Sequence, residues 1–235
     1  MSAAADLISA ARAAKRAALD ELAGKQLLAA HGVAVPRSVT IPDAAAAAKA
    51  IAGLKPPYVV KVMSPDIPHK SDAGGVRTGL KDAGEVEQAV RAIMAVPQIA
   101  DARIDGFLVE EMAPAGLEIV IGGLRDPQFG PLLMVGLGGV LVEVLADVSF
   151  RICPVTRQDA EEMLDELKGA VLLKGARGRK PASRQAILDA LLKIGGEDGL
   201  LMTHAQDIAE ADINPLIVSE NGAVAVDARF ILTEA

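Results

Sequence analysis

The constraint that most narrows what this chain can fold into is the Asn221-Gly222 step, set between two apolar runs near the C-terminus. Asn-Gly is the preferred pair for the tight turn of a β-hairpin, because both residues tolerate positive φ. With Asn221-Gly222 as the two turn residues, Glu220 faces Ala223, Leu216 faces Asp227 and Asn214 faces Arg229. Paired residues share a face and side chains alternate along a strand. That register puts Asp212, Asn214, Asp227 and Arg229 on one face, with Asn214 and Asp227 as diagonal neighbours. Two oxygen ligands on rigid strands suit a Mg²⁺ that also binds phosphates. The same residues equally fit a solvated face with an Asp227–Arg229 ion pair, and a slip of one residue would scatter them.

Upstream, periodicity and turn residues predict an α+β chain. Residues 3–31 read as helix, broken near Gly24 and stopped by Gly32. Asp43 opens a helix over 44–53, and YVVKVM (58–63) is a short strand. A strand follows at 76–80, then a helix from the capping pair Asp82/Glu85 to about Met94. Further strands are expected at 107–112, 117–124, 132–137 and 140–151. Thr156 and Ser183 cap two helices, 157–168 and one beginning after 183, separated by the basic loop 174–181. The boundary falls near residue 112, giving residues 1–112 and 113–235 as two parts.

Composition excludes several functions. The net charge is -7, and only four Phe and one Tyr are available for stacking, which argues against nucleic acid. An acidic protein still binds a nucleotide through local loops and helix ends. Cys153 is the single cysteine, in an apolar run, so no internal disulfide forms and a reducing, cytoplasmic compartment is expected. The Ala-rich N-terminus lacks the continuous apolar core of a signal peptide, and no run is long enough for a membrane span.

Lys61 interrupts the apolar run 58–63 and needs either solvent or an anion. It reads as a phosphate ligand or as an edge-strand lysine that blocks aggregation. His69 lies in SPDIPHKSDAGG, a loop in which Gly74 and Gly75 permit close approach of backbone N–H groups to a phosphate. The loop is not a Walker-type sequence, and none of the three histidines has zinc-spaced partners.

Several stretches taken together resemble one family: YVVKVMSPDIPHKSDAGGV, FLVEEMAPAGLEIVIGGLRDPQFGPLLMVGLGGVLVEVLADVSFRICP, LLKGARG and EADINPLIV. The chain is similar to the beta subunit, or ATP-grasp half, of ADP-forming acetyl- and acyl-CoA synthetases, and more distantly to succinyl-CoA synthetase beta. The resemblance implies an ATP-grasp fold, with two α+β lobes that clamp ATP or ADP with Mg²⁺. It assigns Lys61 to the phosphates, Gly74, Gly75 and Val76 to the glycine loop, and Glu110, Glu111, Met112 and Ala113 to the adenine-reading hinge. Glu118 matches the ribose ligand, and Asn214 and Asp227 the magnesium ligands. His69 matches a histidine that carries a phosphoryl group. The implied reaction is acyl-CoA + ADP + phosphate ⇌ acid + ATP + CoA, with the CoA chemistry on an alpha subunit or fused domain. The competing readings are an ATP-grasp ligase of another branch and a non-catalytic regulatory module.

Overall fold

Apolar faces on two sets of strands each demand a cover, and they divide the chain into two compact units. In the computed structural model, residues 36–113 form one unit, and residues 1–35 join 114–235 in the other. Residues 3–67, 69–139, 146–175 and 180–234 are described. Pro68, the first part of the expected 140–151 strand and the centre of the basic loop 174–181 lie outside them.

In the unit 36–113, strands β1 (Ser38–Ile41), β2 (Tyr58–Met63), β3 (Val76–Leu80) and β4 (Gly106–Glu111) form an antiparallel sheet in the order β1-β4-β2-β3. Helix Ala83–Met94 covers it with Val86, Val90 and Ile93, all buried. Each such burial stabilises by about 1.5–3 kcal/mol. Asp82 accepts from Glu85 N at 2.9 Å, while the Glu85 carboxylate reaches back to Lys81 N at 2.8 Å. The expected helix 44–53 is instead a broken run: a 3₁₀ turn Ala44–Ala46, one α turn Ala47–Ala50 and a second 3₁₀ turn Ile51–Gly53. Only Ala47 and Ile51 in it are buried, too little apolar contact to hold a regular short helix.

The other unit holds β5 (Leu117–Asp126), β6 (Gly130–Leu137), β7 (Val148–Ile152), β8 (Ile208–Ser219), β9 (Gly222–Ala225) and β10 (Arg229–Leu232). Their order is β10-β8-β5-β6-β7, with β9 also paired to β8. On one side Leu133, Phe230 and Ala211 enter a core with Ile187, Leu188, Leu191 and Ile194 of helix Arg184–Gly195. On the other side Leu124, Phe150 and Ile152 stay exposed.

The N-terminal helix breaks at residues 14–20 rather than at Gly24. There the chain runs extended beside β10: Leu19 N donates to Phe230 O, and Leu232 N donates to Ala17 O. Helix Glu21–Ala30 then starts at the Asp20 cap. Gly24 sits inside it because a Cβ there would lie 2.9 Å from the Ala228 carbonyl oxygen. These contacts fasten residues 1–35 to the same unit as 114–235. Among the described residues no helix is long and apolar enough to cross a membrane.

Candidate functional site

Lys61 lies on β2, an interior strand, so the edge-strand reading does not apply. It is 7% exposed, and its Nζ stands 3.1 Å from Glu110 Oε2, itself on a residue only 1% exposed. The register explains the meeting. Val59 faces Glu110 and Lys61 faces Leu108, so Lys61 and Glu110 are diagonal neighbours on one sheet face. The sequence reading placed Glu110 among backbone contacts and missed its carboxylate as the counter-ion. The 58–63 and 106–111 strands would have revealed it only if their pairing had been known.

The backbone after Glu110 is partly committed. Glu111 N donates to Arg37 O at 3.0 Å, and Met112 N donates to Pro57 O at 2.8 Å. The Glu111 carboxylate accepts from Lys55 N at 2.9 Å and from Arg37 at 3.3 Å. Met112 is 43% exposed, and Ala113 lies just beyond the end of β4.

The loop after β2 is fixed at both ends. Ile67 is buried in the core of this unit, and Asp66 accepts from Arg103 N at 2.9 Å. At the far end Val62 N donates to Gly75 O at 2.9 Å. A Cβ on Gly75 would come 2.6 Å from Val62 Cγ1, so this position needs glycine. Between the anchors His69 is exposed, as are Ser71 and Asp72. The Gly74 and Gly75 N–H groups donate to Ser71 O and Lys70 O, which closes the turn from within. Val76 then pairs with Lys61 in the sheet.

In the other unit, the hairpin register differs from the expected one by two residues. Ser219 faces Gly222, Leu216 faces Ala225 and Asp212 faces Arg229. Glu220 and Asn221 are therefore the turn. The expected register would have set the Asp227 carboxylate against Leu216, which is fully buried. The observed one sets Ala225 there, avoiding the cost of burying an unpaired charge. A shift of two keeps every side chain on its face. Val226 N donates to Pro215 O at 3.1 Å, so the register runs on between the strands and brings Asn214 directly opposite Asp227. Asp212, Asn214 and Arg229 are exposed and Asp227 is half-buried. The pair fits a hard divalent cation by donor type: two oxygens, opposed across a ladder, open to further oxygen ligands. Among the described residues no cluster of three or more His, Cys, Asp or Glu is placed to hold a metal unaided.

Glu118 is exposed on β5, across from Ile217 of β8. Its carbonyl accepts from Gly138 N at 2.7 Å, which fixes its backbone. Asp147, absent from the sequence reading, is buried and accepts from Lys168 N and Gly169 N at 2.7 and 2.8 Å. It caps the turn at Lys168 and Gly169.

The ATP-grasp domain family matches residues 10–232. The chain is 42% identical to the acetate–CoA ligase [ADP-forming] I subunit beta of Pyrococcus furiosus, over 97% of each. It is 46% identical, over 76% of its own length, to acetate–CoA ligase [ADP-forming] I of Archaeoglobus fulgidus, of which it spans 26%. It superposes on the dinucleotide-forming acetyl-coenzyme A synthetase 1 of Ca. Korarchaeum cryptofilum in complex with coenzyme A and Ca-AMPCP, with TM-score 0.93 and 41% identity, covering 98% of this chain and 100% of that one. A second structure of that protein, with coenzyme A and Mg-AMPPCP, has its phosphohistidine segment pointing towards the nucleotide binding site; it matches with TM-score 0.84 and 40% identity over 98% and 100%.

Proposed function

Since this chain belongs to the ATP-grasp family, and within it to the beta subunits of ADP-forming acetyl-CoA synthetases, we propose that it performs the nucleotide half of acyl-CoA + ADP + phosphate ⇌ acid + ATP + CoA. The acyl-CoA half belongs to a CoA-binding alpha subunit, carried separately or fused, and the complex works in the cytoplasm. The observation that carries the reading is His69, an exposed imidazole on a short loop pinned at Ile67 and Gly75. A group that accepts phosphate at one place and gives it up at another needs this combination of exposure and tether.

The residue roles are those that the family resemblance implies. The neutral imidazole of His69 is the nucleophile towards the terminal phosphorus of ATP. Lys61, held by Glu110, supplies fixed positive charge towards the phosphates. Gly74, Gly75 and Val76 shape the loop beside them. Glu110, Glu111, Met112 and Ala113 receive the adenine. Glu118 accepts from the ribose hydroxyls. Asn214 and Asp227 would hold Mg²⁺, which would supply positive charge against the phosphates.

Incubation with Mg²⁺ and ATP labelled in the γ-phosphate tests the assignment. The chain is expected to take up an acid-labile, base-stable label, as a nitrogen-bound phosphoryl group requires. His69→Ala is expected to stay unlabelled, to bind nucleotide as tightly as the native chain and to abolish acyl-CoA synthesis with the partner present. Equal labelling of both proteins would remove His69 from the mechanism.

A further inference from the structure

We propose that Arg229 contacts the phosphoryl group in transit and no other part of the nucleotide, an inference that rests on the magnesium and ribose assignments above. Three observations on one sheet carry it. First, the register places Arg229 opposite Asp212, one rung beyond the Asn214–Asp227 pair. Alternate residues share a face, and two residues of strand span about 7 Å, so its guanidinium stands next to a metal bound at that pair.

Second, the rungs run in a fixed order along β8. Glu118 lies across from Ile217, then come Asn214 and finally Asp212, which Gly122 of β5 faces on one side and Arg229 on the other. From the Glu118 position to Gly122 is about 13 Å of strand. A nucleotide with its ribose at Glu118 and its metal at Asn214 therefore directs its terminal phosphate towards Arg229. The nucleoside and the α-phosphate lie on the opposite side of the metal.

Third, Arg229 is exposed, and among the described residues its guanidinium has no carboxylate at ion-pair distance. It borders a groove of about 310 Å³ together with Gly122, Met134, Phe150, Asp212 and Ile231. Gly122 has no side chain, and the Met134 side chain takes up the space over it, so that a Cβ there would lie 2.9 Å from Met134 Cε. A planar guanidinium matches two phosphoryl oxygens at once.

In the transfer step the bond from the γ-phosphorus to its bridging oxygen breaks, and its electron pair leaves on ADP. The lone pair of the His69 nitrogen forms the N–P bond, and the proton on the other ring nitrogen is then released to solvent. The three equatorial oxygens hold their charge throughout, and Arg229 faces that charge.

Calorimetry with two nucleotides tests this. Arg229→Ala is expected to weaken Mg-AMPPCP by about 10- to 100-fold, the loss of one charge-assisted contact, and to change Mg-ADP by less than about twofold. Labelling of His69 by ATP is expected to slow by at least as much. Arg229→Lys, which keeps charge and fold, is expected to restore part of the AMPPCP affinity. Equal losses for both nucleotides, or no loss for either, would overturn the role of Arg229. Asn214→Ala separates this from the site itself. If the native chain binds both nucleotides and Asn214→Ala alters their Mg²⁺ dependence, the metal assignment stands whatever Arg229 does. If the native chain binds neither, both fall together.

Discussion

A lysine ammonium survives at 7% exposure on β2 because Glu110 neutralises it. Removing one member takes this partner away from a buried charge, at a cost of up to about 3–5 kcal/mol, whereas replacing both with uncharged groups of similar size is nearly neutral. Lys61→Ala is therefore expected to lower stability strongly as well as nucleotide affinity. The double variant Lys61→Met/Glu110→Gln is expected to melt near the native temperature and still bind Mg-ATP poorly. Thermal unfolding beside calorimetry separates the two effects, and a stable double variant with native affinity would show that Lys61 only serves the fold. A second residue pair controls acid sensitivity. The His31 and His204 rings meet at 5.2 Å between centroids, tilted by 42°. Burial lowers the pKa of both; the His204 charge lowers His31 further, while Asp207 pulls His204 partly back. Arg12 completes the surroundings by pairing with Asp207 at 2.8 Å. Both histidines titrate below their ordinary 6.5 when folded, so the unfolded chain binds protons first. Stability is then complete above pH 6.5 and declines as pH falls through the folded values. Melting temperatures from pH 7.5 to 5 are expected to drop by a few degrees, and less so in His204→Gln.

Two elements carry the proposed chemistry, and each is held by contacts outside the candidate residues. The β8–β9 hairpin is held by its apolar partners Leu216 and Ala225, not by the proposed metal ligands Asn214 and Asp227. Asn214→Ala and Asp227→Ala are accordingly expected to raise the Mg²⁺ concentration needed for labelling by about tenfold, one lost ligand contact, with little change in melting temperature. Unfolding in either variant, without any change in Mg²⁺ dependence, would make the face structural. The His69 loop is closed by its own hydrogen bonds and by the packing of Gly75 on Val62. The base is anchored, and the exposed stretch lies between the anchors. Helix Ala83–Met94 and strands β2 and β3 were fully legible, since caps and apolar spacing are local.

At the scale of the whole chain, the unit 36–113 interrupts the other unit in sequence but carries its own core, built on Val60, Val62, Val90, Ile93 and Phe107. Expressed alone, residues 36–113 are expected to fold and melt cooperatively by circular dichroism. Deleting residues 1–35 is expected to leave 114–235 unfolded, because Leu27 and Leu28 are fully buried in that core and β10 loses its pairing with residues 17–19. A native-like melt of the truncated chain would show that the N-terminal helices are accessory.

Local pattern and motifs read in order were enough to place β2 to β6, the caps, the candidate residues and the family. Tertiary structure decided three things. It chose Glu110 as the partner of Lys61, since pairing between strands far apart in sequence is invisible to local pattern. It set the hairpin register by which residues can be buried, overriding the Asn-Gly turn preference and opposing Asn214 to Asp227. And it joined residues 1–35 to 114–235, because their apolar faces find cover only against strands supplied by the end of the chain.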